Sequence, residues 1–334
     1  MSPAVPKGAW ILTDGKAGDL VQCEGVCQAL GVPYEVRTVA PRGVWQLPVK
    51  GLPVDPRERE DRPDSPLAGP VPDLVVASGR RTIPYLKRAK ALRPDCFTVY
   101  LKDPRTGTDT ADFIWVPEHD KLRGANVLAT LTSPHKVTAG ALEAARAAPP
   151  PEISRLARPR VAVLIGGDSA HMSFTKLDIQ MLAERLKALA ASGAALMATF
   201  SRRTDDSNPT LKDQVTAIVR KSGGYLWDGT GDNPYLALLA LADGIVVTTD
   251  SVNMVGEAVS TGVPVMIFRP TDRKPRTNRK IHDFLQALAE KGAVRSFTGD
   301  LETVTYEPLN STPVIAGEIA RRYAAFVAER QRSS

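Results

Sequence analysis

The sequence predicts two consecutive α/β domains followed by one amphipathic helix. Three observations lead to that class. A short apolar run, a turn rich in Gly, Ser or Asp, and a helical pattern recur in that order along the chain. The grammar stops in an Ala- and Pro-rich stretch at residues 144–160 (AARAAPPPEISRLARPR) and then restarts. The length, 334 residues, suits two domains of roughly 100–200 residues each.

Residues 9–12 (AWIL) read as a strand and 13–19 (TDGKAGD) as its turn; Leu20, Cys23, Cys27 and Leu30 then fall at helical spacing until Gly31 stops the helix. The next strands are 73–78 (DLVVAS) with a turn at 79–82, and 97–101 (FTVYL) with a turn at 102–108. Residues 113–116 (FIWV) lead into PEHD at 117–120. Strands alternating with helices favour parallel βαβ units over a sandwich. Residues 47–72, dominated by Pro and charge, read as an extended, solvated loop. Pro149, Pro150 and Pro151 can neither continue a helix nor lie in a central strand, so a hinge falls there. Beyond it, 161–165 (VAVLI) is a buried strand and 166–173 its turn, and Leu177, Met181, Leu182, Leu186 and Leu189 form the apolar face of a helix. Residues 195–200 form a strand ending in SRRT (201–204); 244–248 form another, with a turn at 250–253 and a further strand at 263–268. Ile315, Ile319, Tyr323 and Phe326 mark the last helix. The expected domains are therefore 1–150 and 156–310, both Rossmann-like, with a tail helix at 311–334.

Composition narrows the function. Hydrophobic residues at 43% and charged residues at 24% are those of a globular protein. Aromatics at 6% argue against a nucleic-acid platform of stacked rings. Three cysteines make no disulfide framework and suit a reduced cytoplasmic setting. The start of the chain shows no apolar core behind a basic segment, and no run approaches the ~20 apolar residues of a membrane span, so neither a signal peptide nor a spanning helix is expected. A net charge of +6 points to anionic partners, either phosphorylated small molecules or the acidic inner face of a membrane.

Ligands of doubly wound sheets collect beyond the carboxyl ends of strands, where glycines and helix N-termini admit phosphate. Three turns qualify: 13–19 with Gly15 and Gly18, 166–173 with Gly166 and Gly167, and 250–253. None has the G-x-G-x-x-G spacing of dinucleotide sites, and the Walker loop is absent, which disfavours a dehydrogenase or a P-loop NTPase. Ser251, Val252 and Asn253 would open a helix and aim N–H groups at a diphosphate. Arg202 and Arg203 offer guanidinium forks for phosphate, or are simply a charged strand end. His171 and Ser173 are phosphate or sugar donors, or belong with Thr175 among the caps of the following helix. Asp103 and Arg105 either fix a loop as a pair or receive an acidic acceptor, and His119 is a further acceptor-side candidate beside Asp120. The four histidines are scattered and no acidic motif suited to a metal stands out, so no metal or cofactor is expected.

The motifs WILTDGKAGDLVQ, VYLKDPR, VPEHD, GGDSAHMSF, SRRT, TTDSVNMVGEAVSTGVPV and IHDFL occur in one order between Trp10 and Phe297. Together they resemble the bacterial relatives of the plant mitochondrial-fission ("elongated mitochondria") family. That family is similar in layout to GT-B glycosyltransferases, among them the peripheral-membrane enzyme that adds N-acetylglucosamine to lipid-linked peptidoglycan precursors. The resemblance implies two Rossmann-like domains facing a cleft, acceptor on the first and nucleotide-diphosphate sugar on the second, with the tail helix crossing back. It implies that Glu257 holds ribose hydroxyls, the alternative being a solvated helix carboxylate. Where the peptidoglycan enzyme has a histidine after its last loop glycine, this chain has Asp19. Asp19, or Asp14 in the same loop, would then be the base, unless either is an N-cap. The glutamate pair of retaining GT-B enzymes is absent, since Thr249 and Val265 stand where the partner of Glu257 would lie. The implied activity is inverting, metal-independent transfer to a lipid-linked or glycan acceptor in cell-envelope glycan or glycolipid synthesis. The alternatives are a nucleotide-sugar epimerase and a silent GT-B scaffold that recruits a partner.

Overall fold

The computed structural model describes residues 4–47, 51–273 and 278–333, without the side chains of 205–207 and 333. The chain forms two compact units, one of Met1–Lys136 together with Ser311–Ser334 and the other of Val137–Asn310.

The first unit runs β1 (Ala9–Thr13), α1 (Ala17–Ala29), β2 (Tyr34–Thr38), β3 (Leu74–Ser78), α2 (Ile83–Leu92), β4 (Phe97–Leu101), β5 (Phe113–Pro117) and β6 (Val127–Thr130). Its six strands are all parallel, in the order β2-β1-β3-β4-β5-β6. β1, β3 and β4 are buried along their whole length, which is why they read as unbroken apolar runs. On one face Cys23, Val26 and Cys27 of α1 pack with Ile11, Val76 and Val99; on the other Tyr85 and Leu86 of α2 pack with Trp10, Leu12 and Val75.

Residues 47–72 depart from the expected solvated loop. In the described part Val54, Leu67 and Val71 enter the core beside Trp10 and Leu86. The charges of this segment fasten it down. Asp55 accepts from Arg42 N at 2.9 Å and from the backbone and side chain of Arg57, whose guanidinium is the main cause holding its carboxyl at about 2. Glu58 accepts from Tyr85, and Glu60 pairs with Arg88. Three apolar side chains supply the burial that composition concealed.

The second unit begins with α3 (Ala139–Ala147) and α4 (Pro151–Ser154), then β7 (Arg160–Ile165), β8 (Met172–Ser173), α5 (Lys176–Ala191), β9 (Ala195–Phe200), α6 (Arg202–Ser207), α7 (Pro209–Lys221) and β10 (Tyr225–Leu226). It continues with α8 (Tyr235–Leu241), β11 (Gly244–Thr248), α9 (Val252–Val259), β12 (Val265–Phe268), β13 (Thr271–Asp272), α10 (Arg279–Glu290) and β14 (Val294–Ser296). The expected hinge at the prolines is instead the start of a helical turn, because Pro151 supplies the φ of a first helical residue. α3, expected within the first domain, belongs to this unit. The main sheet is parallel in the order β10-β9-β7-β11-β12-β14, and β8 pairs with β13 in a separate antiparallel ribbon. α5 turns Ile179, Leu182, Ala183, Leu186 and Leu189 inward; Leu177, expected on that face, is 64% exposed.

The last helix, α11 (Thr312–Ser333), rejoins the first unit. Ile315, Ile319 and Tyr323 share the core of Ile11, Phe97 and Trp115, and the rings of Tyr323 and Phe326 meet Phe97 edge-on at 5.9 and 5.4 Å.

Candidate functional site

In the second unit the chain leaves β7 toward β9 on one side and leaves β11 toward β12 on the other. The carboxyl ends of the neighbouring strands β7 and β11 therefore form a topological switch point, where open parallel sheets bind ligands. Asp250 organises it. Its carboxylate, with the side chain 0% exposed, accepts from Thr248 Oγ1 at 2.7 Å, Gly167 N at 3.0 Å and Arg203 Nη2 at 2.8 Å. Burial outweighs these donors and pushes its carboxyl up to about 6. Gly166 donates to Thr248 Oγ1 at 2.8 Å, and a side chain there would overlap the Asp250 carboxylate. A Cβ on Gly167 would lie 2.7 Å from the backbone of Arg203. The N–H groups of both glycines, expected to face phosphate, are thus turned inward, and the residues serve by close approach.

Ser251 is the N-cap of α9, with its side chain accepting from Met254 N at 3.5 Å. Ser251, Val252, Asn253 and Met254 are half-buried and the rest of α9 is buried, so its first turn is the more open part, with Glu257 beyond it 9% exposed. Its positive end adjoins Asp250. Arg202 and Arg203 are exposed at the start of α6, and Arg203 remains 43% exposed while paired with Asp250. Glu257 is buried rather than solvated, and Tyr235 Oη donates to its Oε2 at 2.6 Å. Burial, then the Glu257 carboxylate, raises the Tyr235 phenol well above its ordinary value, which keeps it a donor.

Residues 166–173 do not form the simple turn expected. Asp168 accepts from Phe174 N at 2.9 Å and from Arg273 at 2.7 Å. His171 Nδ1 lies 2.9 Å from Asn278 Oδ1, and Asn278 Nδ2 donates to His171 O and Asp272 Oδ1. Since that amide nitrogen is the donor of Asn278, its oxygen is the acceptor and His171 Nδ1 carries the proton. His171 and Ser173 therefore belong to the ribbon of β8 and β13. Neither caps α5, whose cap is Thr175 in a capping box with Asp178.

In the first unit the corresponding switch point lies between β1 and β3. Gly79 follows β3 with φ 94°, and a Cβ there would stand 3.0 Å from the Asp14 carboxylate. The Asp14 side chain is 2% exposed; Oδ2 accepts from Lys16 Nζ at 2.7 Å, and Oδ1 is buried with no hydrogen-bond partner among the described residues. Asp19 is buried and paired with Lys102, which adopts a left-handed φ of 113°. Neither aspartate caps α1, whose N-cap is Lys16. Gly15, with φ 84°, is exposed, and Gly18 lies within α1. Asp103 and Arg105 pair at 3.2 Å, and Arg105 N donates to Asp103 Oδ1, so the pair fixes its own loop. His119 is half-buried after β5. Thr248, Asp250, Tyr235 and Lys102 are the contributors that sequence reasoning missed. Thr248 and Asp250 lay inside the motif TTDSVN and Lys102 inside VYLKDPR, whereas Tyr235 lay outside every quoted motif, and nothing in the sequence near these residues marks their partners.

Among the described residues no group of three or more His, Cys, Asp or Glu is placed to hold a metal ion, and no helix is long and apolar enough to cross a membrane.

Two parallel-sheet α/β units, each with a switch point, and a last helix returning to the first unit define the GT-B class of fold. The chain matches the UDP-GlcNAc 2-epimerase of Neisseria meningitidis over 94% of its own length and 100% of that chain, with a TM-score of 0.51 at 12% identity, a likeness of fold. By sequence the chain belongs to the Mitochondrial fission ELM1 family, whose profile matches residues 17–323. It is 29% identical over 314 residues to mitochondrial fission protein ELM1 of Arabidopsis thaliana, covering 84% of this chain and 69% of that protein. A Rickettsia prowazekii protein, RP120, is 33% identical over 165 residues, covering 46% of this chain and 44% of its own length.

Proposed function

We propose that this protein is a GT-B glycosyltransferase whose second unit takes a nucleotide-diphosphate sugar and whose first unit takes the acceptor. The observation that carries the reading is the convergence at one switch point of the first turn of α9 and the exposed Arg203, held there by Asp250 and the close-packed Gly166 and Gly167. The diphosphate would lie against Ser251, Val252 and Asn253 and the guanidinium groups of Arg202 and Arg203. The ribose would hydrogen-bond to Glu257, which Tyr235 holds in place through Oε2. The helix end and the guanidinium groups would stabilise the departing diphosphate.

Asp14 is the better base of the two aspartates, because its Oδ1 has no hydrogen-bond partner among the described residues, its pairing with Lys16 engaging Oδ2, while Asp19 is tied to Lys102. In the proposed step the acceptor oxygen bonds to the anomeric carbon from the face opposite the leaving group. The bond from that carbon to the phosphate oxygen breaks, its electron pair leaves with the diphosphate, and the acceptor proton passes to Asp14. The configuration inverts. A lipid-linked acceptor of the cell envelope would place the protein on the cytoplasmic face of the membrane, held peripherally.

Calorimetric titration with UDP-, GDP-, ADP- and CMP-linked sugars tests this. At least one is expected to bind, at least tenfold more weakly to Arg203→Ala; no binding by folded protein would overturn it. A free sugar product formed without acceptor would instead mark the epimerase. A scaffold role is favoured by the Asp19–Lys102 pairing and by the relative's description as a fission protein. It would be indicated if Asp14→Asn and Glu257→Gln left biological activity intact.

A further inference from the structure

The first unit contains a cavity of about 590 Å³ between α2 and residues 45–47 and 51–60, within the range of small-molecule pockets. Trp45, Leu52, Val54 and Ile83 give it an apolar wall. Its charged lining is one-sided. Arg59, Arg80, Arg81, Lys87, Arg88 and Arg105 stand against a single carboxylate among the described lining residues, that of Glu60. Glu60 is committed to Arg88, Arg105 pairs with Asp103, and Lys87 lies 3.8 Å from an Asp109 carboxylate that is 68% exposed. Arg80 and Arg81 are exposed, and among the described residues neither has a carboxylate partner; Arg81 donates to Gln46 Oε1 at 3.3 Å. Both follow β3 directly after Gly79, the residue packed on Asp14, and Arg105 follows β4 on the same sheet edge.

Half of this lining is satisfied by a hydrocarbon chain and half by an anion, and no simpler ligand satisfies both. A free phosphate would leave the wall of Trp45 and Val54 wet. A neutral amphiphile would cover the apolar wall and leave the like charges of Arg80 and Arg81 side by side with no anion between them. We infer that the cavity binds single molecules of a lipid carrying a phosphate or pyrophosphate headgroup, with the chain along the apolar wall and the headgroup on Arg80 and Arg81. The binding stands on the cavity alone; the lipid's role as sugar acceptor rests on the proposed transferase reading.

The probe is dodecyl phosphate below its micellar concentration, titrated calorimetrically into the full chain beside dodecyl maltoside and inorganic phosphate. Saturable binding of one molecule per chain is expected, with both controls at least tenfold weaker. The double variant Arg80→Glu, Arg81→Glu should weaken dodecyl phosphate at least tenfold while leaving dodecyl maltoside unchanged. Trp45→Ala should weaken dodecyl phosphate and leave inorganic phosphate unchanged; thermal unfolding confirms that each variant is folded. Equal affinity for dodecyl maltoside, equal affinity for inorganic phosphate, or indifference to the charge reversal would each overturn the inference. UDP-sugar titration of the same samples reads the second unit separately. Lost dodecyl phosphate binding with sugar-nucleotide binding retained overturns this inference alone, and the converse overturns the donor reading alone.

Discussion

Asp250 is a carboxylate that the native state would rather hold as an acid. Its ordinary value is 3.8, and burial in the second unit lifts it to about 6, with Arg203, Thr248 and Gly167 opposing that rise without cancelling it. A group raised in this way stabilises the fold fully below its unfolded value, and the contribution disappears as pH climbs through the native one. The window is therefore pH 4 to 6.5, and the amount lost is on the order of 3 kcal/mol. Carboxylates with the opposite shift, such as Asp55, Glu60 and Glu318 at about 2, exert their effect at lower pH. The urea stability of the wild type minus that of Asp250→Asn should fall by about 2 kcal/mol between pH 4.5 and 7; parallel profiles would show that Asp250 titrates as an ordinary aspartate. The sequence marked this neighbourhood through the TTDSVN motif but not the residue's task. Its partners Gly167 and Arg203 lie 83 and 47 positions away, and no local pattern encodes such a meeting.

Elements were legible in proportion to how fully they are buried. β1, β3, β4 and β11 have both faces covered, so their sequences are apolar throughout and their limits could be read to within a residue or two. β2 is an edge strand of YEVRT with half-exposed and exposed residues, and it left no such run to read. The ribbon of β8 and β13 joins two-residue strands far apart in sequence, which made 166–173 look like an ordinary glycine-rich turn. α5 shows how a cap can do two tasks. Thr175 and Asp178 close the capping box, while Asp178 Oδ2 also accepts Thr271 N of β13 at 3.3 Å. Thr175→Ala should cost about 1 kcal/mol. Asp178→Ala should cost more, because it also leaves the Thr271 amide without that acceptor. Denaturant midpoints for the two variants decide the order; equal losses would mean that the link to β13 contributes nothing measurable.

At the scale of the whole molecule the two units differ in continuity. The second is one uninterrupted stretch, Val137–Asn310, whereas the first needs Met1–Lys136 and Ser311–Ser334 together. Ile315 and Ile319 are 0% exposed and Tyr323 is 6% exposed, all within the core that contains Ile11, Phe97 and Trp115. Removing one such side chain typically costs about 2–5 kcal/mol. Losing all three with α11 approaches the roughly 5–15 kcal/mol that holds a whole domain together. A chain ending at residue 310 should therefore retain a folded second unit beside an unfolded first one. A chain of residues 137–310 alone should unfold in one cooperative transition and bind the same nucleotide sugar as the full protein, with affinity within a few-fold. Circular dichroism melts and calorimetric titration of the two fragments read these outcomes separately. If the 137–310 fragment folds but has lost the nucleotide, residues of the first unit must complete the donor site, and the assignment of the donor to the second unit by itself fails. If the chain ending at 310 melts like the full protein, α11 is an accessory of the first unit and its buried face does not sustain that core.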